Sequence, residues 1–157
     1  MTPTASTIAP DVRPASPPDS SEGGALCAVR PCLEDLAGPF AGARQKIHVV
    51  CEPGLRLPAG DLPAIGGIVR EALANALRHA FPANRDGDIW LSLAEAADGR
   101  ITLAIRDNGI GVPDLDVDPE SGRGRIAALA RGLGGHARIN SAPFGGAQVL
   151  VAYPRAR

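Results

Sequence analysis

The chain has 157 residues, 45% of them hydrophobic, which is enough for one domain with a real core and too few for two. A formal charge of -1 supplies no global basic field and argues against a nucleic-acid partner gripped through its phosphates. The 3 cysteines, Cys27, Cys32 and Cys51, lack metal-ligand spacing and no apolar run reaches membrane-spanning length, so neither a disulfide framework, a structural zinc site nor a membrane protein is expected, and a reducing, cytoplasmic setting fits.

Residues 1–24 are dominated by Pro, Ser, Thr and Ala without a hydrophobic period, which predicts a disordered tail, with one domain from residue 25 onward. From Pro31 to Ala43 the positions Cys32, Leu33, Leu36, Ala37 and Phe40 keep helical spacing, with Pro31 suited to a first turn. Ile47 to Cys51 reads as a strand running into the Pro53-Gly54 turn. The strongest helix is expected from Asp61 to Ala80, where Ile65, Ile68, Val69, Ala72, Leu73 and Ala76 mark a core face. Its opposite stripe carries Arg70, Glu71, Asn75, Arg78 and His79.

Two strands follow, about 88–94 and 100–106, joined by the hairpin signal Asp98-Gly99. After Asp107-Asn108-Gly109-Ile110-Gly111 the periodicity is lost until a helix expected from Arg125 to Leu133, ended by Gly134-Gly135 as a left-handed cap. Strands at about 137–140 and 148–153 flank a turn from Pro143 to Gly146. The sum is an α+β sandwich, helices on one face of a mixed, mainly antiparallel sheet.

Two motifs carry chemistry. Glu71 and Asn75 lie at i and i+4, hence on one helix face, a carboxylate and an amide placed to serve a magnesium ion and a water. Asp107 ends an apolar strand and precedes two glycines, a turn tight enough to let backbone approach a nucleotide base. Each has an ordinary alternative: a solvated helix face for the first, an Asp-Asn-Gly turn for the second.

The run Glu71-Ala-Leu-Ala-Asn75-Ala-Leu-Arg78-His79-Ala-Phe-Pro82, with Asp107 to Gly111, Leu133-Gly134-Gly135 and Gly145-Gly146 in that order, resembles the catalytic ATP-binding domain of sensor histidine kinases. It is most similar to the subgroup whose N box ends His-Ala-Phe-Pro, over roughly residues 32 to 154. The resemblance implies the Bergerat fold of the superfamily that includes gyrase, the Hsp90 chaperone and MutL, a two-layer α/β sandwich. It also implies ATP and Mg2+ as cofactors.

By that resemblance Asn75 would be the magnesium ligand and Glu71 the catalytic carboxylate that orients or deprotonates the attacking group. Arg78 and His79 would meet phosphate oxygens, His79 having a structural hydrogen bond as its alternative. Asp107 would accept from the adenine amino group, Gly109 and Gly111 would pass close to adenine and ribose, and residues 112–124 would form a lid over the phosphates. Gly122 and Gly124 would line the phosphates, as the second glycine box does.

The pattern departs in three places. Aligned on Leu133-Gly134-Gly135, Gly122 falls on one expected glycine while Glu120 stands at another and Arg123 replaces an apolar residue; a shifted alignment uses Gly122 with Gly124 and shortens the helix. Arg123 and Arg125 then either bind triphosphate or face solvent. Ala147 stands where threonine is common, and the two-helix element that bears the phosphoaccepting histidine is not expected, since only a disordered-looking tail and one short helix are read ahead of the ATP-binding motifs; His48, His79 and His136 are more simply structural. The expectation is therefore a monomer transferring the γ-phosphate to a histidine on a partner or a missing dimerisation domain, within a response-regulator pathway. The alternatives are an anti-sigma-factor-like serine kinase and a pseudo-kinase acting through protein contacts.

Overall fold

A computed structural model describes residues 4–8, 25–38, 40–111, 122–141 and 145–155. Six strands form one sheet in the order β1-β2-β3-β4-β6-β5, where β1 is Thr4–Ile8, β2 Gln45–Cys51, β3 Gly87–Glu95, β4 Arg100–Asp107, β5 His136–Ser141 and β6 Ala147–Pro154. The β2–β3 pair is parallel, as the long crossover between them requires, and all other neighbours are antiparallel. Helices α1 (Ala25–Ala37), α2 (Leu62–Asn75) and α3 (Gly122–Gly132) supply the second layer. Among the described residues no helix is long and apolar enough to cross a membrane.

Alternation along the strands decides which face is covered. Ile47, Val49, Ile89, Leu91, Leu93, Leu103 and Val151 point inward and are fully buried, whereas their neighbours Lys46, Arg106 and Arg138 remain exposed. Onto the inner face pack Ile65, Ile68, Val69 and Leu73 of α2, Val29, Cys32, Leu33 and Leu36 of α1, and Ile126 and Ala130 of α3. The α2–α3 contact is close because Gly67 has no side chain: a Cβ there would lie 2.9 Å from Leu129 Cδ1.

Three expectations change. The first helix spans Ala25–Ala37, so Pro31 lies inside it and not in its first turn; the buried stripe Val29, Cys32, Leu33 and Leu36 outweighs the backbone hydrogen bond that proline forfeits. Within the segment expected to be a tail, residues 4–8 pair as an edge strand with β2, Thr4 opposite Cys51 and Ile8 opposite Ile47, while residues 9–24 lie outside the described residues. The third helix starts at Gly122, three residues before Arg125, and so is not shortened. Its end follows the expectation: Gly135 N–H bonds Ala130 O at 3.0 Å and Gly134 N–H bonds Arg131 O at 2.9 Å, a Schellman motif with Gly134 at φ 81°.

Candidate functional site

The outer stripe of α2 presents Glu71 and Asn75 one turn apart, both half-buried. Arg70, expected beside Glu71, pairs with Asp35 at 2.6 Å, and the guanidinium of Arg78, expected at phosphate oxygens, lies 6.0 Å from the centre of the Phe40 ring. Asn75 and His79 have no hydrogen bond or ion pair among the described residues. His79 is exposed.

Beyond Asn75 the helix widens into a π-helical turn over Ala76–Ala80. The Ala80 carbonyl, left over at the helix end, accepts the Ile110 N–H at 3.0 Å. Gly109 makes that approach possible, since any Cβ there would strike the Ala80 carbonyl and methyl. The end of the Glu71–Asn75 helix and the glycine turn, far apart in sequence, are thereby fastened directly together.

Asp107 ends β4 and is 6% exposed. Its Oδ1 accepts the Gly109 N–H at 2.9 Å and the Ala147 N–H at 3.2 Å, leaving Oδ2 without a partner among the described residues. Burial pushes its carboxyl above the ordinary value, and the two N–H bonds pull the other way without cancelling the shift. Gly146, at φ 82°, lets the start of β6 lie against the Asp107 carbonyl, where a side chain would collide. Gly111, at φ 89°, faces Ser141 and Gly146. Neighbouring Asn108 caps the adjoining strand, its Oδ1 accepting the Asp88 N–H at 2.9 Å.

Two features escaped the sequence. Ala147 supports Asp107 through its backbone N–H, a contact that does not depend on the side chain at that position. Arg125 of α3 grips Glu71 with a two-pronged fork, Nε to Oε1 at 2.8 Å and Nη2 to Oε2 at 3.1 Å, where either a phosphate contact or a solvent-facing position was expected. Sequence offered a signal only in retrospect: an arginine at the start of a helix, where its charge opposes the dipole, needs a reason to be there. Gly122 and Gly124 fall in the first turn of α3, not in a loop before it. The expected lid residues 112–121 lie outside the described residues.

Burial pushes the Cys51 thiol up to about 11 and raises Cys32 as well, which keeps both protonated. His48 stacks on Trp90 with 5.6 Å between ring centres and meets Asp88 Oδ1 at 2.8 Å on the outer sheet face. Among the described residues no group of three His, Cys, Asp or Glu side chains could hold a metal ion unaided.

The chain resembles known proteins in sequence and in fold. Over 146 residues the chain is 30% identical to the sensor histidine kinase component HK1 of Mycobacterium tuberculosis, covering 82% of this chain and 83% of that relative. Over 56 residues it is 39% identical to the anti-sigma F factor of Priestia megaterium, 36% of this chain and only 38% of the relative's length. The solved mycobacterial sensor histidine kinase MprB superposes with a TM-score of 0.66 at 18% identity, covering 84% of this chain and 96% of that one, a likeness of fold. Residues 60–157 match the profile of the histidine kinase-, DNA gyrase B-, and HSP90-like ATPases. With that match spanning α2, the glycine turn and the strands β3 to β6, Asp107 among them, the chain belongs to this ATPase family.

Proposed function

We propose that this chain is the ATP-binding catalytic domain of a two-component-type histidine kinase, passing the ATP γ-phosphate to a histidine on a partner or on a dimerisation domain. The observation that carries the reading is Asp107: a buried carboxylate fixed through Oδ1 alone, with Oδ2 left to accept one donor. The exocyclic amino group of adenine supplies such a donor, and a base without it would leave the buried acceptor unpaired. Gly109 and Gly111 let the turn beside that acceptor lie close against Ala80 on one side and against Ser141 and Gly146 on the other.

At the other end, Glu71 withdraws a proton from the attacking imidazole or orients it, and Asn75 offers an amide oxygen to a magnesium ion that otherwise binds phosphate oxygens and water. That donor set fits magnesium, which seldom asks for a full protein cage. When bound, the ion neutralises charge on the phosphates. The N-terminal end of α3, with Gly122 and Gly124 in its first turn, favours an anion, and Arg78 brings a positive charge and His79 a ring nitrogen to the phosphates. In the transfer the bond from γ-phosphorus to the bridging oxygen breaks, a nitrogen–phosphorus bond forms, and ADP leaves.

Calorimetric titration of ATP, with and without magnesium, tests this. Wild type should bind in a magnesium-responsive way and Asp107→Asn should bind about 10–100-fold more weakly. Equal affinity in the two proteins would overturn the role of Asp107. The anti-sigma-factor likeness favours a second reading, a serine kinase. Acid lability of the transferred phosphate separates the two, phosphohistidine being labile and phosphoserine stable.

A further inference from the structure

The fork between Arg125 and Glu71 joins α3 to α2. Both carboxylate oxygens are engaged, at 2.8 and 3.1 Å, so Glu71 in this state has its charge matched and its position fixed by the fork. The pair is accessible: the Glu71 side chain is 23% exposed and that of Arg125 52% exposed, within reach of a dissolved anion. No other arginine of α2 or its π-helical turn competes for Glu71, since Arg70 is engaged by Asp35 and Arg78 lies over Phe40.

We propose that Arg125 is a latch, which holds Glu71 in the nucleotide-free chain and exchanges that carboxylate for a polyphosphate oxygen when ATP enters, freeing Glu71 to act. The proposal rests on the ATP-site reading above. A ligand shifts such an equilibrium only through interactions made in one of its two states. A polyphosphate meets that requirement, because it carries several negative charges against one on Glu71 and suits the same planar fork. Adenosine has no anion to offer and leaves the latch closed. Arg125 is thus a positioning residue acting through Glu71, and it ties release of the catalytic carboxylate to the phosphates, not to the base.

A thermal double-mutant cycle tests the exchange, using wild type, Glu71→Gln, Arg125→Gln and the double variant. Melting would be followed in the nucleotide-free chain, with saturating adenosine, and with a saturating non-hydrolysable ATP analogue. The expected coupling is about 3 °C in the first two conditions and zero within error in the third. Arg125→Lys, which keeps the charge and loses the fork, should restore less than half of it. Equal coupling in all three conditions makes the pair a static brace and overturns the latch, as does zero coupling without nucleotide. A wild type that binds neither adenosine nor the analogue by calorimetry fails the ATP-site reading itself, a result distinct from binding with unchanged coupling.

Discussion

Asp107 and Glu71 are two carboxylates of one candidate site, yet Asp107 is 6% exposed and held by two backbone N–H groups, whereas Glu71 is half-buried and held by one side chain from another helix. The first arrangement has no moving part: to shift Asp107 is to shift the ends of β4 and β6. The second opens by one arginine changing rotamer, and an ion pair this exposed is worth only about 0–1 kcal/mol. Selectivity for a base asks for a fixed acceptor, and transfer of a phosphate asks for a carboxylate that can be withheld and released. The contrast between backbone-built and side-chain-built ends is what the roles proposed above for Asp107 and Glu71 ask for.

The widest separation should come from Glu71→Gln. Removing the base leaves the adenine contacts intact, so intrinsic ATP hydrolysis should fall by about 100–10,000-fold with ATP affinity nearly unchanged. A parallel loss of affinity would break the division between the two ends. Next comes Gly109→Ala, which forces a methyl group against the Ala80 carbonyl and should cost about 1–3 kcal/mol, seen as a lower melting temperature and weaker adenosine binding together. If the variant melts like wild type, the fastening of the helix to the turn is looser than described.

The smallest effect is one of pH. Because burial raises the Asp107 carboxyl, the folded chain holds that proton more tightly than the unfolded chain does. Its contribution to stability is therefore least favourable at neutral pH and improves as pH falls through the raised value. Binding moves the opposite way, since the protonated form loses an acceptor. Adenosine affinity measured from pH 7 downward should weaken above the ordinary Asp range in wild type and stay flat in Asp107→Asn; identical profiles would remove Asp107 from the base end.

Much of this was legible because its signals are local. The face of α2 follows from the spacing of Ile65, Ile68, Val69 and Leu73, and the β3–β4 hairpin from Asp98-Gly99, where Gly99 takes φ 86° and Asp98 Oδ1 accepts the Arg100 N–H at 3.0 Å. What was missed depends on distant partners. Thr4–Ile8 is strand because β2 offers it an edge, and Pro31 is tolerated mid-helix because its neighbours reach the core. Asp107 meets Ala147 across 40 residues and Glu71 meets Arg125 across 54, separations at which no local pattern speaks. The motifs named the candidate residues; the contacts that hold them had to come from the fold.

The π-helical turn over Ala76–Ala80 sets a rotational offset in the helix. Each residue there advances around the axis by less than in an α-helix, so the positions after Asn75 are turned back relative to the stripe that carries Glu71. One continuous segment therefore keeps two phases, one matched to the sheet through Leu73 and one matched to the glycine turn through Ala80. Removing a single residue from that turn would restore a uniform helix and swing the Ala80 carbonyl off Ile110. The widened turn is a gear between two packing surfaces that a regular helix could not satisfy at once.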